Sequence, residues 1–162
     1  MLGTVPGFIM GGFLEEVVFR GIIFRIVEAS LDSWIALAVS AAIFGLMHLL
    51  NHGTTLLDSG AITIEGGIML AAAYMLTRRL WLCIGIHIAW NFVQGGVFSG
   101  AVSGGAQQGL LQAKMAGPDW LTGGSFGVEA SVVALVVCAA AGIVLLIVAK
   151  RKGQIVQPYW NR

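Results

Sequence analysis

Apolar residues fall into five long blocks along this chain, with most polar residues gathered between them. The blocks predict helices near Val5–Ile26, Trp34–Leu50, Ile62–Thr77, Leu80–Phe98 and Val128–Ala149. Each is at or near the roughly 20 helical residues needed to cross a hydrocarbon core of about 30 Å. The third block, interrupted by Glu65, Gly66 and Gly67, reads as short or tilted; the fifth carries no charge. Between Gly95 and Gly127 the chain turns to Gly, Ser and Gln, with Pro118 inside. That stretch is too polar to span and too long for a simple turn. It is expected to lie over one face of the molecule, with a short helix near Gln108–Met115. Gly3, Gly7 and Gly11 recur at four-residue spacing, and Gly66, Gly67 and Ala71–Ala73 cluster in the third block. Small residues so placed let helices approach closely in lipid.

Composition sharpens this into an all-α, polytopic transmembrane bundle of about five spans, read as a single domain over 1–162. The chain is 57% apolar and only 10% charged, with a mean hydropathy of +0.88, whereas soluble domains carry about 25% charged residues. No basic cluster with interleaved aromatics is present, which excludes a nucleic-acid partner. Cys83 and Cys138 lie deep in apolar runs and read as core thiols. No cleavable signal pattern precedes the first block.

Charge then sets the expected orientation. Arg25, Arg78, Arg79, Lys150, Arg151, Lys152 and Arg162 fall on one side of an alternating bundle, with Lys114 alone on the other. By the positive-inside bias, that side and the C-terminus are cytoplasmic. Trp34, Trp81 and Trp160 fit the same interface. An outside N-terminus follows, from which one or three further spans are expected upstream.

The first block breaks the apolar pattern with Glu15, Glu16 and Arg20. An ionised group at a bilayer's centre costs about 2.5–3.5 kcal/mol, so such residues mark protein-lined functional sites. Glu16 and Arg20 stand four apart and can pair along one face, while Glu15 points about 100° away. His48 follows Phe44 by four, and His87 precedes Asn91 by four. An acid, two imidazoles and an amide on three helices suit hydrolysis of a carbonyl compound by activated water. No serine sits in a nucleophile-elbow pattern, so covalent catalysis is disfavoured.

Each group has a plainer reading. A lone buried histidine is as often structural, and the Glu16–Arg20 pair alone fits helix packing better than catalysis. His52 reads as solvated; it forms H-x-x-x-H with His48, but Leu49 stands where a zincin has glutamate. Glu65 and Glu129 are expected to serve helix N-termini. The conjunction of the intramembrane groups is what resists these readings.

The segments EEVVFR (Glu15–Arg20), FGLMH (Phe44–His48) and HIAWN (His87–Asn91) closely resemble, in order and spacing, the three motifs of the CPBP family. These are the CAAX proteases and bacteriocin-processing proteins, also called Abi or type II CAAX prenyl endopeptidases. The resemblance runs over about Gly12–Gln94, and Gly117–Ser131 and the last span look like the C-terminal part of bacterial members. It implies an intramembrane endopeptidase of an eight-helix type, of which this chain carries the C-terminal core. Glu15 would activate water, His48 would position it, and His87 and Asn91 would form the oxyanion hole. Glu16 and Arg20 would shape the site, with Phe44 beneath. It leaves open zinc held by Glu15, His48 and His87, beside a metal-free glutamate mechanism that the lack of H-E-x-x-H favours. The implied partners are membrane lipids and a peptide or protein substrate, lipidated or not, at a bacterial plasma membrane. Two other readings stand: a non-enzymatic immunity or scaffold protein, and a small proton- or ion-coupled transporter.

Overall fold

The computed structural model describes residues 5–161. They form an all-helical bundle in which the only strand-like pairing is an isolated bridge between Val102 and Gly105. Residues 5–30 make one continuous helix, α1, about 39 Å long at 1.5 Å per residue. Helix α2 is Ser33–Leu50, α3 is Leu56–Thr77, α4 is Leu80–Val97 and α5 is Val132–Arg151. Helices α2 to α5 are long and apolar enough to cross a membrane. Five spans were expected, and α1 does not qualify by composition. It has the length, but Glu15, Glu16 and Arg20 make its stability depend on what the other helices offer those side chains.

Local chemistry fixes the helix starts. Asp32 Oδ1 accepts from the Trp34 and Ile35 amides at 2.6 and 2.8 Å and starts α2. Thr55 and Asp58 form a reciprocal capping box. This box starts α3 at Leu56, ahead of the expected Ile62. It puts Glu65 in mid-helix and so removes the N-terminal role expected of it. Ser131 accepts from Ala134 N and starts α5. Glu129 therefore lies in the 3-10 turn Val128–Ala130 before the helix, and Ser131 takes the capping role. The helix expected near Gln108–Met115 is absent. The loop's helical turn is Asp119–Thr122 instead, set up by Pro118.

Helix α3 is the centre of the bundle, packing on α2, α4 and α5, while α1 packs on α2 and α4. Ala71, Ala72, Ala73 and Met75 are fully buried, as expected of a small-residue face. A Cβ on Gly67 would stand 2.9 Å from Ala41 Cα, and one on Gly12 would stand 2.8 Å from Ile88 Cγ1. The α1 contact thus runs through Gly12. Gly7 and Gly11 have open space around them, and Gly3 lies outside the described residues. Cys83 and Cys138 are free and buried in the core. Ile9, Phe13, Val18 and Ile22 of α1 and Val133, Val137 and Val144 of α5 are exposed, as lipid-facing side chains should be.

The basic residues gather at one end. Arg78 takes a left-handed conformation (φ 56°) and donates to Glu28 Oε1 at 2.8 Å, joining the α3–α4 turn to the end of α1. Ser33 accepts from Val156 N at 2.8 Å, which ties the C-terminal tail to the same end.

Candidate active site

Arg20 is fully buried, and its partners explain how α1 tolerates it. Nη1 donates to Glu16 Oε1 at 2.8 Å, and Nη2 donates to the Gly67 carbonyl at 2.9 Å and to the Gly66 carbonyl. Having no side chains, these glycines leave their carbonyls open to the guanidinium. They lie in the π-helical stretch Thr63–Met69 of α3, and Arg20 lies in another, Val17–Phe24 of α1. Such widened turns recur at functional sites. The Arg20 guanidinium also lies 4.6 Å from the Phe44 ring centre, a cation–π contact in a desolvated setting.

Glu16 is equally buried and serves two partners. Its Oε1 accepts from Arg20 and also from His87 Nδ1, at 2.9 Å. A carboxylate paired with arginine is acceptor-only, so the proton on the hydrogen bond belongs to His87 Nδ1. His87 Nε2 is left facing Glu15, whose Oε2 is 3.9 Å away. That gap is too long for a direct hydrogen bond and suits a bridging water. Glu15 Oε2 is buried without a protein partner.

His48 is anchored by the residue four before it. Its Nδ1 donates to the Phe44 carbonyl at 2.8 Å, so Nε2 carries the lone pair. Phe44 itself is buried, with ring-centre distances of 4.9 Å to Phe19, 4.7 Å to His48 and 6.1 Å to His87. The F-x-x-x-H spacing thus has a local cause: a helical carbonyl orients the imidazole and the aromatic ring backs it.

Asn91 lies one turn beyond His87 on α4. With Glu15, His48 and His87 it lines an open cleft of about 370 Å³, together with Gly7 and Gly11. The glycine stripe of α1 therefore faces this cleft, and its missing side chains keep it open. All six residues singled out in the sequence meet here: Glu15, His48, His87 and Asn91 on the cleft, with Glu16 and Arg20 behind His87. His52 lies exposed beyond them. The cleft opens at the end of the bundle away from Arg25, Arg78 and Lys150–Lys152.

Zinc has a partial case. Both histidines hold Nδ1 on an oxygen acceptor and leave Nε2 free, the arrangement typical of metal-binding histidines. Yet among the described residues no three His, Cys, Asp or Glu side chains are gathered closely enough to hold a metal ion. Glu15, His48 and His87 as placed do not make such a centre, and no step below is routed through one.

Three further residues reach this region: Ser103, which nothing in the sequence singles out, and Glu65 and Glu129, expected only at helix N-termini. Ser103, at φ 47°, lines the cleft from the long loop and donates its amide to Glu129 Oε2 at 2.7 Å. Nothing near Ser103 in sequence marks it. Glu65 did carry a signal, as an acid inside an apolar run.

Comparison with known proteins adds three findings. A family model described as "Type II CAAX prenyl endopeptidase Rce1-like" matches residues 1–93, a span that holds every motif residue. A Bacillus subtilis (strain 168) protein named "Putative membrane peptidase YdiL" is 36% identical over 84 residues. The aligned stretch is 51% of this chain and 32% of that protein, so the chain spans about a third of its relative. No solved structure matches.

Proposed function

The chain belongs to the type II CAAX prenyl endopeptidase Rce1-like family, and on that premise we propose that it is an intramembrane endopeptidase acting through glutamate-activated water. The observation that carries this reading is the gap of 3.9 Å between Glu15 Oε2 and His87 Nε2. It leaves a water-sized place between an unpartnered acid and an oriented imidazole. A water held there, its second hydrogen shared by the Nε2 atoms of His87 and His48, gives its first proton to Glu15 as its oxygen attacks the scissile carbonyl carbon. The Asn91 amide donates to the resulting oxyanion, and the hydrogen that stays on the attacking oxygen is accepted by His87 Nε2. Glu15 then returns the proton to the leaving nitrogen as the C–N bond breaks. A peptide bond and a water become an acid and an amine, and Glu15 is restored. Glu16 and Arg20 act one layer back: they fix the tautomer and angle of His87.

The substrate reading is a membrane-associated peptide or protein. With the basic end cytoplasmic, the cleft opens toward the far face of the membrane, which suits maturation of exported peptides. The scaffold reading gains no support from the geometry, since packing alone needs no unpartnered Glu15.

Glu15→Gln provides the test, assayed with two series of internally quenched peptides, one farnesylated at a C-a-a-X terminus and one unlipidated. Loss of the general base lowers kcat by about 10²–10⁴-fold with thermal stability unchanged. A Glu15→Gln protein that cleaves as well as wild type, or a wild type that cleaves neither series, ends this reading.

A further inference from the structure

Behind the catalytic wall lies a second, narrower chamber of about 40 Å³. His48, His87, Asn91 and Ser103 line both spaces. On one side they face the open cleft with Glu15; on the other they face Glu65 and Glu129. A water needs about 10–15 Å³ of such volume, so the chamber has room for two or three.

Glu65 is the feature that asks for an occupant. It is 4% exposed, it lines the chamber, and both its carboxyl oxygens are buried with no hydrogen-bond partner. A buried unpartnered carboxyl costs several kcal/mol unless it is neutral and hydrogen-bonded. No cation among the described residues answers it. Arg20, the nearest by chain contact, is taken up by Glu16 and by the carbonyls of Gly66 and Gly67. The other ionisable groups on the chamber are Glu129, His48, His87 and Cys138, and α2 adds none over Ser33–Met47. Glu129, by contrast, is held by the Ser103 amide and hydroxyl. Burial nonetheless pushes its carboxyl up to about 7, so this corner of the protein disfavours negative charge.

We infer that the chamber is a hydrated annex of the active site, in which Glu65, as a neutral carboxylic acid, anchors two or three waters against His48, His87 and Asn91. Glu65 is then a positioning residue. It touches no substrate and moves no proton in the reaction; it supplies a hydrogen-bond donor and an acceptor to waters that hold the catalytic side chains in register. The role in catalysis rests on the endopeptidase reading above, while the neutral acid and its waters do not.

Two measurements separate these claims. Infrared spectra of the full chain in lipid nanodiscs, wild type minus Glu65→Gln, contain a protonated-carboxyl C=O band. In D2O that band shifts as fast as the buffer is exchanged. Absence of the band, or a band unmoved after hours in D2O, overturns the neutral acid or its hydration without bearing on peptidase activity. In the peptide assay, Glu65→Gln keeps both hydrogen-bonding functions and retains kcat and the pH profile. Glu65→Leu, which dries the chamber, loses about 10–100-fold in kcat, the order of loss expected when buried hydrogen-bonding groups are left unsatisfied, with KM unchanged. Full activity in Glu65→Leu overturns the positioning role. Equal loss in Glu65→Gln overturns the neutral form. Glu65→Leu is checked for its melting temperature, since leucine suits an apolar span.

Discussion

Glu16 is the residue on which the rest of the site hangs, because one carboxylate oxygen serves both Arg20 and His87. Breaking a buried ion pair from one side leaves the other charge stranded, at a cost of about 3–5 kcal/mol. Arg20→Met therefore lowers the melting temperature in detergent sharply. Since the two residues act as a unit, Glu16→Gln added to Arg20→Met recovers part of that loss. A double variant no more stable than Arg20→Met would show that the arginine acts through the Gly66 and Gly67 carbonyls alone. Glu129 gives a second residue-scale expectation, in pH. Burial raises its carboxyl from 4.5 to about 7, so between these values the folded protein holds a proton that the unfolded chain has released. Stability accordingly falls as pH rises from about 4.5 to about 7 and is level above. Glu129→Gln cannot ionise, and its melting temperature lacks that slope; an unchanged slope would place its origin elsewhere.

Among the elements, α3 carries the most consequence. Its glycines let α2 lie against it and offer Arg20 two carbonyls, so one π-helical turn performs packing and charge satisfaction together. Gly67→Val drives a side chain into Ala41. Overpacking of this kind costs about 1–3 kcal/mol, and here it also pulls the carbonyls from Arg20, so activity and stability fall together. Gly11→Ala on α1 is the contrasting case. A Cβ there meets nothing within 4 Å, and stability stays within about 0.5 kcal/mol of wild type. Its methyl group enters the cleft, however, so KM for the cleaved peptide rises. Thermal melts and steady-state kinetics on the two variants test both statements, and a destabilised Gly11→Ala would move the α1 contact to that face.

On the scale of the whole molecule, the bundle has two unlike ends. One gathers Arg25, Arg78 and the Lys150–Lys152 run around Glu28 and the C-terminal tail; the other holds the cleft and the long loop. The positive-inside bias predicts a cytoplasmic basic end. Single cysteines introduced into a protein whose Cys83 and Cys138 have been replaced by alanine read this directly. In intact cells a membrane-impermeant maleimide labels Gln107→Cys, whereas Lys152→Cys reacts only after permeabilisation. The reverse pattern would invert the protein and place its cleft toward the cytoplasm.

What the sequence determined by itself is what short-range helical geometry carries. Four-residue spacing sets Glu16 beside Arg20, Phe44 beneath His48 and Asn91 beyond His87. Block length and hydropathy make the helices, and the layout of arginine and lysine marks one end. The family's motifs were legible for the same reason, since each lies within one or two turns. The capping box at Thr55 was equally local, and with it α3 could have been started correctly and Glu65 seen in mid-helix. Other features depended on which helix lies against which. Examples are the sharing of Glu16 between Arg20 and a histidine 71 positions away, and the choice of Gly66 and Gly67 as acceptors. The meeting of Glu65 with Glu129 and Ser103 across the chamber is another. Hydrophobic burial drives helices together without direction and leaves the pairing of polar groups to close packing. Only the tertiary structure could decide which polar side chains found partners and which were left facing a cavity.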